Sequence, residues 1–111
     1  MKIEELGLIL NAKILTSGHA YSGVDKIYVS DLMSDVLTYG KDAQLLVTSL
    51  TNQQTIRTVE MVEIPVVCYT NGKLPGKDTI ELANRKKITI LITELSTFQV
   101  TGKLFDAGLQ G

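Results

Sequence analysis

The sequence contains few of the residues from which most catalytic and metal sites are built. Its 111 residues include one cysteine, Cys68, one histidine, His19, and no tryptophan. A single cysteine excludes an internal disulfide, and one cysteine with one histidine is too small a ligand set for zinc. A nucleophilic Cys68 paired with His19 is disfavoured, because the apolar run around Cys68 is typical of a buried strand. We therefore expect no metal and no other cofactor.

The sequence also lacks an excess of charge of either sign. Eleven Lys and Arg residues against twelve Asp and Glu residues give a formal net charge of −1. This balance argues against a nucleic-acid partner, whose phosphates require a basic surface. The basic cluster Arg85-Lys86-Lys87 falls at the predicted end of a helix, where cations complement the helix dipole.

Long hydrophobic runs are absent as well. No apolar stretch approaches the ~20 residues that a membrane span needs, so no membrane partner is expected. The first five residues include the acidic Glu4 and Glu5, whereas the start of a signal peptide is basic. The presence of a single cysteine fits a reducing compartment. We therefore expect a cytoplasmic protein. Its length and its 44% hydrophobic content predict one globular domain over residues 1–111.

Strand-like and helix-like segments alternate along the chain. Apolar runs predict strands at AKIL, KIYVS, AQLLVTSL, IPVVCYT and ITILIT, and most of these runs are continuous, as in strands covered on both faces. Segments with helical spacing occupy residues 2–10, 32–37, 52–62, 78–87 and 96–109. The alternation predicts an α/β fold, a single compact domain with a mainly parallel β-sheet of about five strands and helices packed on its faces.

Local signals predict how the last two helices begin. Asp78 is the expected N-cap of the helix over 78–87, because it follows the turn residues Pro75 and Gly76. Ser96 and Gln99 have the spacing of a capping box at the start of the final helix. In that helix we expect Phe98, Leu104 and Phe105 to face the sheet.

Small polar residues follow the strands at the point where each strand ends. Three strands end in threonine, at Thr48, Thr70 and Thr93. In a parallel sheet the carboxyl ends of the strands meet at one edge, where the N–H groups of helix starts also point. We therefore predict a site for a small anionic metabolite or nucleotide at this edge. Its candidate ligand-binding residues are Ser30, Asp31, Ser34, Asp35, Thr48, Ser49, Asn52, Thr70, Asn71, Gly72, Thr93, Ser96 and Thr97.

The same residues also have purely structural interpretations, which the sequence leaves open. Ser30 or Asp31 would suit the N-cap of a helix that begins near Leu32. The threonines would suit the ends of strands, and the Asn-Gly pair that follows Thr70 favours a tight turn. No catalytic residue is predicted, because the polar set contains no His, Lys or Cys. The alternative is a small enzyme, or a subunit of a phosphoryl- or acyl-transfer complex, with Asp31 or Asp35 as base.

Several segments of the chain resemble the DRTGG domain family: YVSDLMSDVL, LLVT, CYTNGKLP and ITILITELSTFQVTGKL. The resemblance extends from about Leu6 to Leu109 and is most specific at residues 30–36 and 95–98. Members of this family are compact α/β domains that occur alone or fused to pairs of CBS domains or to phosphotransacetylases. The resemblance implies a fold similar to the N-terminal domain of HPr kinase. It also implies a non-catalytic regulatory, ligand-sensing or protein-interaction module.

The Asp-Arg-Thr-Gly-Gly signature that names the family does not occur in this chain. Its nearest counterpart is Asp25-Lys26, which leads directly into the strand KIYVS. Two-fold dimers are the commonest soluble oligomers, so we expect a homodimer or a subunit of a larger complex. An exposed sheet edge or the final helix is the expected contact surface.

Overall fold

The computed structural model describes residues 1–18 and 23–111. Within these ranges the chain forms α1 (Ile3–Ile9), β1 (Lys13–Thr16), β2 (Ile27–Val29), α2 (Met33–Tyr39), β3 (Leu45–Thr48), α3 (Gln53–Val62), β4 (Val66–Tyr69), α4 (Lys77–Lys86), β5 (Thr89–Ile92) and α5 (Thr97–Asp106). His19, which was considered as a partner of Cys68, lies outside the described residues. In the described ranges no helix has both the length and the apolar character needed to cross a membrane.

The strands form one five-stranded sheet in the order β1-β5-β4-β3-β2. Each strand from β2 to β5 is parallel to the next, whereas β1 pairs with β5 in the antiparallel direction. The prediction of a mainly parallel sheet with helices on its faces is therefore confirmed. The register sets Thr48 beside Tyr69 and Tyr69 beside Ile92, so β3, β4 and β5 end at the same edge. We call this edge the carboxyl edge.

The helices cover the two faces of the sheet unequally. From β2 to β5 the chain advances in one direction, and right-handed crossovers therefore leave α2, α3 and α4 on one face. Their apolar side chains pack against strand residues that include Leu46, Val67 and Ile90. The helices α1 and α5 cover the opposite face, where they pack against Val47 and Leu91. Three helices thus cover one face of the sheet and two cover the other.

The final helix orients its aromatic residues differently from the prediction. Val100 and Leu104 are fully buried and pack on the sheet, as predicted for Leu104. The prediction that Phe98 and Phe105 face the sheet is wrong, because they are 84% and 82% exposed. The two phenylalanines lie seven residues apart and so share a second apolar face of α5. The spacing alone marks both faces as apolar, and packing decides which of them is buried.

A threonine side chain joins β1 to the rest of the sheet. The pairing of β1 with β5 shifts register between Ile14 and Thr16, which interrupts the regular ladder. At this point the buried Thr16 hydroxyl donates to the Ile88 carbonyl oxygen at 2.6 Å and accepts from the Ile90 N–H at 2.9 Å. The hydroxyl therefore satisfies two backbone groups that the shifted ladder would leave unpaired.

The Thr16→Val variant tests this role of the hydroxyl. Valine keeps the shape of threonine but leaves two buried backbone groups without their partner. We expect the free energy of unfolding to fall by about 2 kcal/mol in urea denaturation. The matched control is Thr38→Val, since the Thr38 hydroxyl donates to the Ser34 carbonyl oxygen on the exposed surface of α2. A Thr16→Val protein as stable as the control would contradict the assignment.

Candidate functional site

Asp31 connects the ends of β2 and β3 at the carboxyl edge. One of its carboxylate oxygens accepts the Thr48 hydroxyl and the Ser49 N–H, both at 2.8 Å, and the other accepts the Ser49 hydroxyl at 2.7 Å. Partial burial raises the pKa of Asp31, but these hydrogen bonds and the charge of Lys73 outweigh it, and the net pKa is lowered. A carboxylate with a lowered pKa is a weak proton acceptor. Asp31 thus serves as an ionised connection between two strand ends.

The helix α2 begins one residue later than the capping interpretation places it. Its N-cap is Leu32, so neither Ser30 nor Asp31 occupies that position, and this interpretation is wrong. The Ser30 hydroxyl instead accepts the Leu32 N–H at 3.0 Å and stabilises the turn that leads into the helix. Ser34 and Asp35 follow in the first turn of α2, where Ser34 is exposed and Asp35 is half-buried.

The threonines at the other strand ends bond within the protein. The Thr70 and Thr97 hydroxyls share a hydrogen bond of 2.8 Å, which joins the end of β4 to the start of α5. The Thr93 hydroxyl donates to the Leu10 carbonyl oxygen at 2.7 Å, just beyond the end of α1. Thr48, Thr70 and Thr93 are all buried, and each hydroxyl holds together parts of the chain that are distant in sequence.

The Asn71-Gly72 pair forms the tight turn that the sequence predicts. Both residues have positive φ, and their N–H groups donate to the carbonyl oxygens of Leu95 and Thr93 at 2.7 and 2.9 Å. Gly72 has a φ of +67°, in the left-handed region that favours glycine. The turn therefore fixes the end of β4 against the end of β5.

The start of α5 is closed by its own side chains. The Ser96 hydroxyl accepts the Gln99 N–H at 3.1 Å, and the Gln99 side-chain oxygen accepts the Ser96 N–H at 2.9 Å. This confirms the predicted capping box. The capping box thus satisfies the N–H groups of Ser96 and Gln99.

The starts of α3 and α4, by contrast, are open and adjacent. Their N-caps are Asn52 and Gly76, and in residues 1–18 and 23–111 no side chain caps either helix. The Thr79 hydroxyl donates to the Thr51 carbonyl oxygen at 3.1 Å and holds the two starts together. Between them lies a cleft of about 440 Å³ lined by Thr51, Asn52, Gln53, Gly76, Lys77, Asp78 and Thr79. We call this space the α3–α4 cleft.

The composition of the α3–α4 cleft suits a small polar ligand. The first turn of an α-helix leaves N–H groups without intrahelical acceptors and carries the positive end of the helix dipole. Lys77 adds a cation at the start of α4, and Asp78 adds an anion beside it. A Cβ at Gly76 would contact no atom of the described chain within 4 Å, so the cleft is accessible at this point.

The structure brings only part of the predicted residue set to this cleft. Asn52 lines it. The Thr48 hydroxyl bonds instead to Asp31, the Thr70 and Thr97 hydroxyls bond to each other, and the Thr93 hydroxyl bonds to Leu10. The prediction of Asp78 as the N-cap of α4 is wrong, since Gly76 holds that position and Asp78 lies in the first turn. Lys77 also lines the cleft, although it is not among the predicted residues, because no Ser or Thr follows it as in a phosphate-binding loop. A glycine followed by a lysine directly after Pro75 is the signal that would have indicated this uncapped start.

The structure is thus a small α/β domain with an open polar cleft at its carboxyl edge, between the starts of α3 and α4. The chain belongs to the DRTGG domain family, whose model matches residues 5–107. This confirms the resemblance seen in the sequence. None of the curated proteins matches the chain in sequence.

The fold is also similar to a solved structure. That structure is the crystal structure of the CBS and DRTGG domains of the regulatory region of Clostridium perfringens pyrophosphatase, complexed with its activator, diadenosine tetraphosphate. The TM-score is 0.71 at 16% sequence identity, and the match covers 93% of this chain and 45% of that chain. The present chain therefore spans less than half the length of the pyrophosphatase region.

The Asp31→Ala variant tests the connection between β2 and β3. Because the carboxylate accepts three hydrogen bonds but is largely exposed, we expect a loss of about 1–2 kcal/mol in the free energy of unfolding at pH 7. The lowered pKa means that this contribution is complete above the unfolded value of about 3.9 and is lost as the pH falls through the folded-state pKa.

The measurement is urea denaturation at a series of pH values, with Asp42→Ala as the matched control. Asp42 is an exposed carboxylate in the turn that follows α2. The difference in stability between Asp31→Ala and the unmodified protein should shrink toward low pH. A difference that stays constant across the series, or an equal loss in Asp42→Ala, would show that the Asp31 charge is not the source.

Proposed function

We propose that this domain is a non-catalytic regulatory module that senses a small anionic metabolite or nucleotide in the α3–α4 cleft. The observation that carries the proposal is the pairing of two uncapped helix starts around one cleft, held together by the hydrogen bond from Thr79 to Thr51. Two helix dipoles and the N–H groups of two first turns then point toward the same ligand.

The charges at the cleft are consistent with an anion of limited size. Lys77 supplies one positive side chain, and Asp78 partly offsets it. Most of the attraction would therefore come from backbone N–H groups, which suit phosphate and carboxylate oxygens. The α3–α4 cleft, with a volume of about 440 Å³, is shallow and open to solvent, so a ligand would be held at the surface by these N–H groups.

Family membership and the structural neighbour support a regulatory role. The pyrophosphatase region that shares the fold is a regulatory region, and its structure contains a nucleotide activator. The chemistry of the carboxyl edge supports the non-catalytic part of the proposal. In the alternative of a small enzyme, Asp31 would act as the base. Its carboxylate already accepts three hydrogen bonds from Thr48 and Ser49, and its pKa is lowered.

Thermal unfolding and calorimetric titration with a panel of anions test the proposal. The panel contains inorganic phosphate, pyrophosphate, acetyl phosphate, adenosine mono-, di- and triphosphate, and diadenosine tetraphosphate. A ligand present at 100 times its Kd should stabilise the domain by about 2.7 kcal/mol. A panel in which no member shifts the unfolding transition would contradict the sensing role.

The Gly76→Asp variant locates the site. The new carboxylate would cap α4 and occupy the position of the ligand anion, so we expect affinity to fall about tenfold or more while the fold is retained. Asn84→Asp is the matched control, because it adds the same charge to the exposed end of α4 farthest from the cleft. Equal affinities of Gly76→Asp and Asn84→Asp would place the ligand elsewhere.

A further inference from the structure

The face of α5 that carries Phe98 and Phe105 borders an apolar groove. The groove has a volume of about 530 Å³ and lies between α5 and the edge strand β2, with Tyr28 and Val29 on the strand side. Phe98 and Phe105 are 84% and 82% exposed, and Val29 is 37% exposed. Large side chains gathered in this way mark an interaction surface more often than isolated exposed residues do.

The strand beside the groove is only partly paired on its outer side. The Ile27 N–H donates to the Gln110 carbonyl oxygen at 2.7 Å, so the C-terminal residues cover the first part of β2. Tyr28 and Val29 lie beyond this contact and line the groove. Edge strands without a charged side chain or a covering segment are open to association. The open half of β2 and the phenylalanines of α5 thus form one continuous surface.

We propose that this groove is the contact surface between two copies of the chain, related by a two-fold axis that passes near Gly102. Phe98 lies four residues before Gly102 and Phe105 lies three residues after it. A two-fold rotation about this point packs α5 antiparallel against its copy, with each Phe98 close to Phe105 of the other copy. A Cβ at Gly102 would contact no atom of the described chain within 4 Å, so the two helices can approach closely here.

The charge distribution of the groove fits a second copy of the same chain. Residues near a two-fold axis meet their own counterparts, so a charge at that position would face a like charge. The residues that line the groove, Ile27–Val29, Phe98, Thr101, Gly102, Phe105, Leu109 and Gly111, carry no charged side chain. A strongly charged partner would find no countercharge on this surface. An uncharged, self-complementary surface therefore favours a second copy.

The two exposed phenylalanines set the size of the contact. A phenylalanine side chain can bury about 150–250 Å², so the two phenylalanines of both copies together supply on the order of 600 Å². This is about half of the ~1,200 Å² at the lower end of stable interfaces. Val29 and Thr101 add exposed area from the walls of the groove, whereas Leu109 is already buried and the Tyr28 side chain packs on the other face of the sheet. The contact is therefore of the size, below about 1,200 Å², that is typical of weak association.

The Gly102→Arg variant of the full chain tests the interface. It places like charges across the two-fold axis, and it favours the fold of the single copy because arginine is a better helix former than glycine. In analytical ultracentrifugation we expect the unmodified protein to be a dimer and Gly102→Arg to be a monomer, with a dissociation constant raised at least about tenfold. Met61→Arg is the control, since Met61 is 73% exposed on α3, on the opposite face of the sheet.

Mixing Gly102→Arg with Gly102→Glu gives a second readout that a folding defect would not produce. Opposite charges would then face each other at the axis, and we expect a heterodimer from two proteins that are monomers when alone. An unmodified protein that is monomeric up to about 1 mM, where weak association would be visible, would overturn the proposal and leave the groove to a different protein. A Gly102→Arg dimer, or dissociation of Met61→Arg, would equally overturn it.

Discussion

Parallel pairing of β2, β3, β4 and β5 in one winding direction is the constraint on which the rest of the structure depends. Because each crossover advances to the next strand in the same direction, α2, α3 and α4 lie side by side on one face. The starts of α3 and α4 are consequently neighbours at the carboxyl edge. The chain then passes to the opposite face, where α1 and α5 cover the sheet. Since only two helices cover that face, α5 has no helix on its outer side beside β2, and the apolar groove lies there.

At the carboxyl edge, side chains form hydrogen bonds with backbone groups that have no partner within the strands or the first turns of the helices. Asp31 accepts the donors at the end of β3, and Ser96 with Gln99 closes the start of α5. Buried threonine hydroxyls join β4 to α5 and β5 to α1. These contacts join the strand ends to one another and to the neighbouring helices. Within the described part of the chain, the starts of α3 and α4 lack a capping side chain, because Gly76 has no side chain and Asn52 makes no cap. The α3–α4 cleft therefore offers the N–H groups of two first turns to a ligand.

Much of the fold could be predicted from the sequence, and the reasons are local. Continuous apolar runs mark strands covered on both faces, and β3, β4 and β5 have this pattern. The capping box at Ser96 is a short-range signal and was predicted correctly. The outward face of α5 was not predictable, because Phe98 and Phe105 share one helical face while Val100 and Leu104 share another. Which strand-end hydroxyls lack a hydrogen-bond partner at the carboxyl edge depends on the residues that lie near each strand end in the folded structure. The spacing of residues along the sequence does not contain this information.

One segment of the chain connects the two surfaces. The loop between β4 and α4 starts at Thr70, whose hydroxyl bonds to Thr97 at the start of α5, and it ends at Gly76, the N-cap of α4. A ligand at the start of α4 would therefore act on a segment that is bonded directly to the helix carrying Phe98. Coupling between two sites requires that each ligand distinguish two arrangements of such a shared element. The Thr70–Thr97 hydrogen bond and the bond from the Asn71 N–H to the Leu95 carbonyl oxygen are contacts that such a shared element would have to include, because both join that loop to the start of α5.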